Sequence, residues 1–257
     1  MKKLIAIVLV LMFAFAAVAE ESTITKIVFG TNPEFPPFEY VVSEDGVAFG
    51  ANGEQYDGID MAIVAKIGEM LGCEVEIVNL EFDSLLIALE NGQIDATIAG
   101  MTITEERKLS VDFASPYYLA AQVMIVPVDS DITCAADLEG KLVAVVAGYT
   151  GETWVDEAGY KYESFKKGTE CIMELMNGKC DAVVLDSATA ASYIAGIDSL
   201  KIVEDAEAFG GEEYGIAVKQ GNTELLDAIN ACIDAMLADG TIGELSTYYQ
   251  ELDLDAE

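Results

Sequence analysis

Apolar and polar positions fall into two regimes along the chain. The first is an uncharged apolar run from Leu4 to Val18, preceded by Lys2 and Lys3 and ending in Ala17-Val18-Ala19. A basic start, an apolar stretch and a small-x-small end form the pattern of an export leader cleaved after Ala19. The run is shorter than the ~20 residues of a spanning helix, and a single membrane anchor is the competing reading. In the second regime the period changes every few residues. Ile27 and Phe29 mark a strand, and Met61, Val64, Ile67 and Leu71 recur at helical spacing. Val75 and Ile77 predict a strand, Leu85, Leu86 and Leu89 a helix stopped by Asn91-Gly92, and Ile94, Ala96 and Ile98 another strand. This alternation predicts an α/β fold with helices packed on mostly parallel sheets.

The pattern contains an internal echo. LLIALENGQIDATIAG, residues 85–100, aligns without gaps on CIMELMNGKCDAVVLD, residues 171–186. Both read helix, Asn-Gly stop, Asp-Ala, strand. Two similar halves follow from it, with Gly100 and Asp186 at the carboxyl ends of equivalent strands. Ligands of open α/β sheets bind at such ends, so two facing edges predict a cleft.

Composition narrows the chemistry. A formal charge of -33 over 257 residues argues against nucleic acid and against anionic membrane surfaces as partners. It fits a well-solvated surface, and halophilic adaptation equally. The chain has no His, and its five Cys are scattered, so zinc-type ligand sets and His-dependent nucleophilic triads are missing. No cofactor or metal is implied. Cys171 and Cys180 sit near opposite ends of a helix, on the order of 10 Å apart at 1.5 Å per residue, beyond disulfide reach. All five read as small core residues.

Two charges stand out at the strand ends. In Met101-Thr102-Ile103-Thr104-Glu105-Glu106-Arg107-Lys108, Thr104 suits a helix N-cap and the glutamates suit the first turn, whereas the Arg107 cation opposes the helix dipole. Its compensating anion is either Glu105 or Glu106, or a ligand carboxylate gripped by the guanidinium fork. Asp186 precedes Ser187, a candidate N-cap, and reads either as a turn carboxylate or as a partner for an ammonium group. An arginine on one half and an aspartate on the other complement the two charges of a free α-amino acid.

TNPEFPPFEY (31–40), YDGIDMAIVAKIGEMLG (56–72), EFDSLLIALENGQIDATIAGMTITEERKLSVDFASPYY (81–118), LEGKLVAVVAGYTGE (138–152) and DAVVLDSATA (181–190) together resemble the polar amino-acid-binding proteins of bacterial ABC importers. The resemblance runs from about Lys26 to the C-terminus. It implies a two-lobed periplasmic-binding-protein fold, each lobe a mostly parallel sheet flanked by helices. Lobe 1 would comprise residues 20–116 and 215–257 and lobe 2 residues 117–214, with hinge segments near 116–120 and 210–214. Arg107 would grip the ligand α-carboxylate, helped by Thr102 and Thr150 through side chain or backbone. Asp186 and the Gly100 carbonyl would receive the α-ammonium. Phe35 and Phe82 fall where the family places rings around the ligand side chain, though the bare sequence reads both equally as core aromatics. Asn32, Glu34, Glu39 and Asp83 are polar candidates for reading the side-chain tip, and Asn32 replaces an aspartate of several relatives. Tyr149 stands where many members carry a small residue, and either fills part of the pocket or faces solvent. Ser43–Gln55 reads as a surface excursion.

The expected activity is capture of a free L-amino acid, delivered by an exported monomer to ABC importer permease subunits, with no catalysis. Glu34, Glu39, Asp83 and the negative field favour a basic ligand such as arginine or lysine over a neutral one such as glutamine or cystine. A dehydratase or a sensor domain on the same scaffold are the rival functions.

Overall fold

The computed structural model describes residues 24–252, and the predicted leader lies outside the described residues. A five-stranded sheet and a six-stranded one, whose sixth strand Gly211–Tyr214 pairs off the main path with Tyr118–Pro127, organise the chain. In the first, strands run in the spatial order Glu74–Asn79, Lys26–Thr31, Ala96–Thr97, Ala217–Lys219, Val111–Phe113. The second runs Lys161–Phe165, Leu142–Val146, Ala182–Asp186, Tyr118–Pro127, Leu200–Val203. In each, the first three strands are parallel and the last two join antiparallel. Both sheets are therefore mixed: each parallel core is extended by one strand that enters straight from the other lobe, Ala217–Lys219 or Tyr118–Pro127, and by a further strand antiparallel to it.

Helices Ile59–Leu71, Leu85–Glu90, Thr223–Ala238 and Thr241–Glu251 belong to the first lobe, and Thr150–Glu157, Gly168–Met176 and Ser187–Ile194 to the second. Coverage of both faces explains the unbroken apolar strand sequences. In Leu142–Val146, Ala144 and Val146 join one apolar cluster while Val143 and Val145 join another, and Val183 and Leu185 alternate with Ala182 and Val184 in the same way. Strands buried on both sides have no polar face to show. Among the described residues, no helix is long and apolar enough to cross a membrane.

The echo is a real element of structure. Asn91 and Asn177 cap their helices, and Gly92 (φ 69°) and Gly178 (φ 67°) take the left-handed conformation that glycine adopts without steric cost. The aspartates that follow clamp the neighbouring strand identically. Asp95 Oδ2 accepts from the Val28 N–H and Asp181 Oδ2 from the Leu142 N–H, both at 2.8 Å.

The chain passes between lobes twice. Residues 114–117 link Val111–Phe113 to Tyr118–Pro127, and residues 215–216 link Gly211–Tyr214 to Ala217–Lys219. Beside these links, Gly211–Tyr214 pairs antiparallel with Tyr118–Ala121. The excursion at 43–55 is ordered as part of a four-stranded antiparallel sheet built from Glu34–Phe35, Glu39–Val42, Ala48–Phe49 and Gln55–Asp57. The five cysteines are free thiols; Cys171, Cys180 and Cys232 are buried, but Cys73 and Cys134 are only partly so. Cys134 is no core residue: it starts a surface turn, with Sγ 3.6 Å from Asp137 Oδ2.

Candidate functional site

Arg107 is positioned by a tight turn. Thr104 Oγ1 accepts from the Arg107 N–H at 3.1 Å, and a 3-10 turn, Arg107–Leu109, follows in place of a longer helix. Glu105 pairs with Lys108 at 2.8 Å, and no carboxylate among the described residues lies within ion-pair distance of Arg107. The guanidinium donates through Nη1 to the Thr102 carbonyl at 2.7 Å and through Nη2 to the Gly148 carbonyl, in the other lobe, at 2.9 Å. Its Cζ stands 5.3 Å from the centroid of the Phe82 ring. Burial pulls its pKa below the ordinary arginine value, while Glu212 and Asp186 oppose the shift. The remaining guanidinium N–H groups suit an anion held in two-point geometry.

Asp186 ends its strand buried, with Tyr214 O–H donating to Oδ1 at 2.5 Å. Burial first, then repulsion from Glu212, pushes its pKa up to about 7, against the pull of the Tyr214 hydrogen bond. Across the cleft, Gly100 has φ 52°, and a Cβ there would stand 2.4 Å from the Phe35 ring, so both backbone and space require glycine. The Gly100 N–H donates to Asp60 Oδ2 at 2.8 Å, and Tyr117 O–H donates to the same carboxylate. This leaves the Gly100 carbonyl clear of that clamp.

Thr102 from the first lobe and Thr150, the first residue of helix Thr150–Glu157, both donate their hydroxyls to Glu212 Oε2, at 2.9 and 2.7 Å. Gln122 Nε2 donates to Thr150 Oγ1 at 3.2 Å. Tyr149 fills the pocket and does not face solvent: it is buried edge-on against Phe35, with centroids 5.4 Å apart, and against Phe82 at 4.6 Å. Arg107, Asp186, Thr102, Gly100, Thr150, Phe35, Phe82 and Tyr149 thus line one narrow crevice with about 10 Å³ of free space, well under the ~300 Å³ of a usual small-ligand pocket. A cleft of about 690 Å³, bounded by Phe82, Arg107, Thr150, Trp154 and Glu212, adjoins it.

The four candidates for side-chain reading each make contacts of their own. The Glu34 carboxylate pairs with Lys167 at 2.6 Å. Asp83 is likewise paired with Lys166. Both lysines sit just before helix Gly168–Met176, where they reach across from the second lobe. Asn32 lies outside the crevice lining, its Nδ2 donating to the Leu80 carbonyl at 3.0 Å and bracing the segment ahead of Phe82. Glu39 is absent from the crevice surface but stands behind it, next to Phe35. It is fully buried directly across the hairpin from Phe35, and neither carboxylate oxygen has a hydrogen-bond donor. Burial and the adjacent Asp60 push its pKa well above the usual carboxylate range.

Sequence reasoning missed Glu212, Gln122, Tyr214 and Asp60. Glu212 and Tyr214 lie inside the segment singled out as a hinge, and the acidic pair Glu212-Glu213 on a short strand was the available signal.

Two α/β lobes meeting at a crevice with a cation on one wall and a carboxylate on the other define a binding protein for a small zwitterion. The sequence profile of the bacterial extracellular solute-binding proteins, family 3, matches residues 27–251, and the chain belongs to that family. It is therefore a non-enzymatic transport component, the amino-acid-binding protein of an ABC transporter. The ABC transporter arginine-binding protein 1 of Escherichia coli (strain K12) is 33% identical over 96% of this chain and 98% of its own. The arginine-, lysine-, histidine-binding protein ArtJ of Geobacillus stearothermophilus superposes with a TM-score of 0.79 at 31% identity, covering 88% of this chain and 95% of its own. An ancestral arginine-binding protein bound to glutamine gives a TM-score of 0.77 at 39% identity, covering 87% and 97%.

Proposed function

We propose that this protein captures a free basic amino acid, arginine or lysine, between its lobes and delivers it to the permease subunits of an ABC importer. The observation that carries the basic preference is Glu39. Buried beside the Asp60 carboxyl and without a donor, Glu39 is unfavourable as an anion on its own, and a guanidinium or ammonium would supply the partner that stabilises its charge. Cross-strand neighbours share a face of a hairpin, so Glu39 lies beside Phe35, directly behind the crevice wall. Relatives named for arginine support the same reading.

Arg107 holds the α-carboxylate and Asp186 with the Gly100 carbonyl the α-ammonium, as the opposed charges support. Residues 20–116 and 215–257 move as one lobe and residues 117–214 as the other, about links near 116–120 and 210–214. The ligand favours the closed state because only there are both of its charges paired. The protein is exported with cleavage after Ala19 and acts as a monomer whose closed form the permease recognises. A neutral ligand is the second reading: a protonated Glu39 donates well to a carboxamide, and one similar structure is bound to glutamine.

A thermal-shift panel of the common amino acids tests the assignment. A ligand at a thousand times its Kd stabilises a fold by ~4 kcal/mol. Arginine and lysine are expected to give the largest shifts; glutamine in first place transfers the site to the neutral reading, and no shift from any amino acid removes both.

A further inference from the structure

We propose that Glu212 is a positioning residue for the ligand's α-ammonium, acting through the hydroxyls of Thr102 and Thr150. This role rests on the reading above that the ligand is an α-amino acid, and the placement of hydroxyl protons carries it. A carboxylate only accepts hydrogen bonds, and a threonine hydroxyl has one proton to give. Thr102 and Thr150, from opposite lobes, both give theirs to Glu212 Oε2, at 2.9 and 2.7 Å. Gln122 Nε2 reinforces the arrangement, 3.4 Å from the same oxygen and 3.2 Å from Thr150 Oγ1. With their protons committed, the hydroxyls offer only lone pairs to the crevice, which attract an ammonium and repel a carboxylate. Tyr214 spends its proton on Asp186 in the same way, at 2.5 Å.

The lining hydroxyls are thereby preset as acceptors beside the Asp186 carboxylate. The α-carboxylate is left to Arg107 and to backbone N–H groups at the start of helix Thr150–Glu157. This revises the expected role of the two threonine side chains: they belong to the ammonium end. Glu212 sits on the strand Gly211–Tyr214 that pairs with Tyr118–Ala121 beside both interlobe links, within reach of a threonine from each lobe.

The test compares L-arginine with 5-guanidinopentanoate, which keeps the carboxylate and guanidinium but lacks the α-ammonium. L-glutamine and 4-carbamoylbutanoate replace them if the panel ranks a neutral ligand first. Both ligands are titrated calorimetrically against the parent, Glu212→Gln, Thr102→Val and the double variant. Gln at 212 brings an N–H donor into the pair and breaks the acceptor preset. Glu212→Gln is expected to weaken L-arginine roughly tenfold or more while changing the deaminated analogue less than about threefold. In the double variant the losses should not multiply, because one substitution acts through the other. Glu212→Asp, which keeps the carboxylate, should retain the parent's discrimination between the two ligands, and it serves as the test if Glu212→Gln does not fold.

Equal losses for both ligands, multiplying losses, or loss of discrimination in Glu212→Asp would overturn the proposal. So would unchanged or tighter L-arginine binding by Glu212→Gln, the latter meaning that Glu212 competes with the ligand. A parent that binds no amino acid sinks the functional reading and this inference together. A parent that binds normally beside an unaffected Glu212→Gln sinks the inference alone.

Discussion

The two lobes carry the same helix, glycine stop and aspartate clamp, yet the strands they position end differently. In the first lobe the strand region runs out at Gly100, a bare backbone turn with Arg107 seven residues beyond. In the second it ends on Asp186, whose own side chain enters the crevice. One repeated scaffold thus presents a cation from one side and a carboxylate from the other. The difference between the halves carries the chemistry, and their likeness carries the geometry.

The comparison breaks most readily at those two charges. Arg107→Ala and Asp186→Ala are each expected to weaken every amino-acid ligand, because the α-carboxylate and α-ammonium are common to all. Loss of a buried, charge-paired hydrogen bond costs ~2–5 kcal/mol, or roughly 30-fold to several thousand-fold in affinity. Calorimetric titration with one basic and one neutral amino acid measures it. An Arg107→Ala protein that bound both like the parent would remove the guanidinium from the site.

Local signals made half of this legible. Arg107 was conspicuous because a cation at a turn start opposes the backbone dipole, and Asp186 emerged from the ungapped echo. Strand order was readable only in its parallel part, since period reports a strand but not its direction. The partners of two side-chain candidates were illegible for a long-range reason: Lys166 and Lys167 fold across the cleft onto Asp83 and Glu34, and nothing local to those acids announces it. Glu212 was hidden likewise, because its partners Thr102 and Thr150 come from distant segments.

A titration sharpens the contrast between the ends. With Asp186 pushed up to about 7, the free protein carries it protonated below that pH, whereas the ligand ammonium requires it ionised. Binding then releases a proton, and affinity should fall by up to about tenfold per pH unit on acidifying below 7, levelling above it. For the unliganded fold the sign reverses: the buried carboxyl favours folding while protonated, and that contribution is lost as pH rises from about 4 to about 7. Asp60, also raised to about 7, and the higher Glu39 add to the stability profile. Glu212, Arg107 and Tyr214 face Asp186 directly in the site. Affinity measured between pH 5.5 and 8 in the parent and in Asp186→Asn isolates the group, since only the parent's slope should survive if Asp186 is responsible. A flat parent profile would contradict it.

The smallest effect lies where the lobes touch without a ligand. Lys166 with Asp83 and Lys167 with Glu34 join the halves at the cleft rim, and the Tyr193 hydroxyl adds a hydrogen bond to the Glu34 carbonyl. The ion pairs are well exposed, with lysine side chains 56% and 42% accessible, so water and salt screen them strongly. They join the two halves weakly, before any ligand charge is present. Replacing both lysines by alanine should therefore open the unliganded protein slightly and weaken amino-acid binding by only about two- to fivefold. The same loss should appear in the parent when salt is raised from about 0.05 to about 0.5 M, over which the Debye length falls from roughly 14 to roughly 4 Å. Scattering without ligand reads the opening and calorimetry at the two salt concentrations reads the affinity. The doubly substituted protein should lose that part of its salt response. If it responds to salt as the parent does, the rim pairs are bystanders and closure belongs to the two charges in the crevice alone.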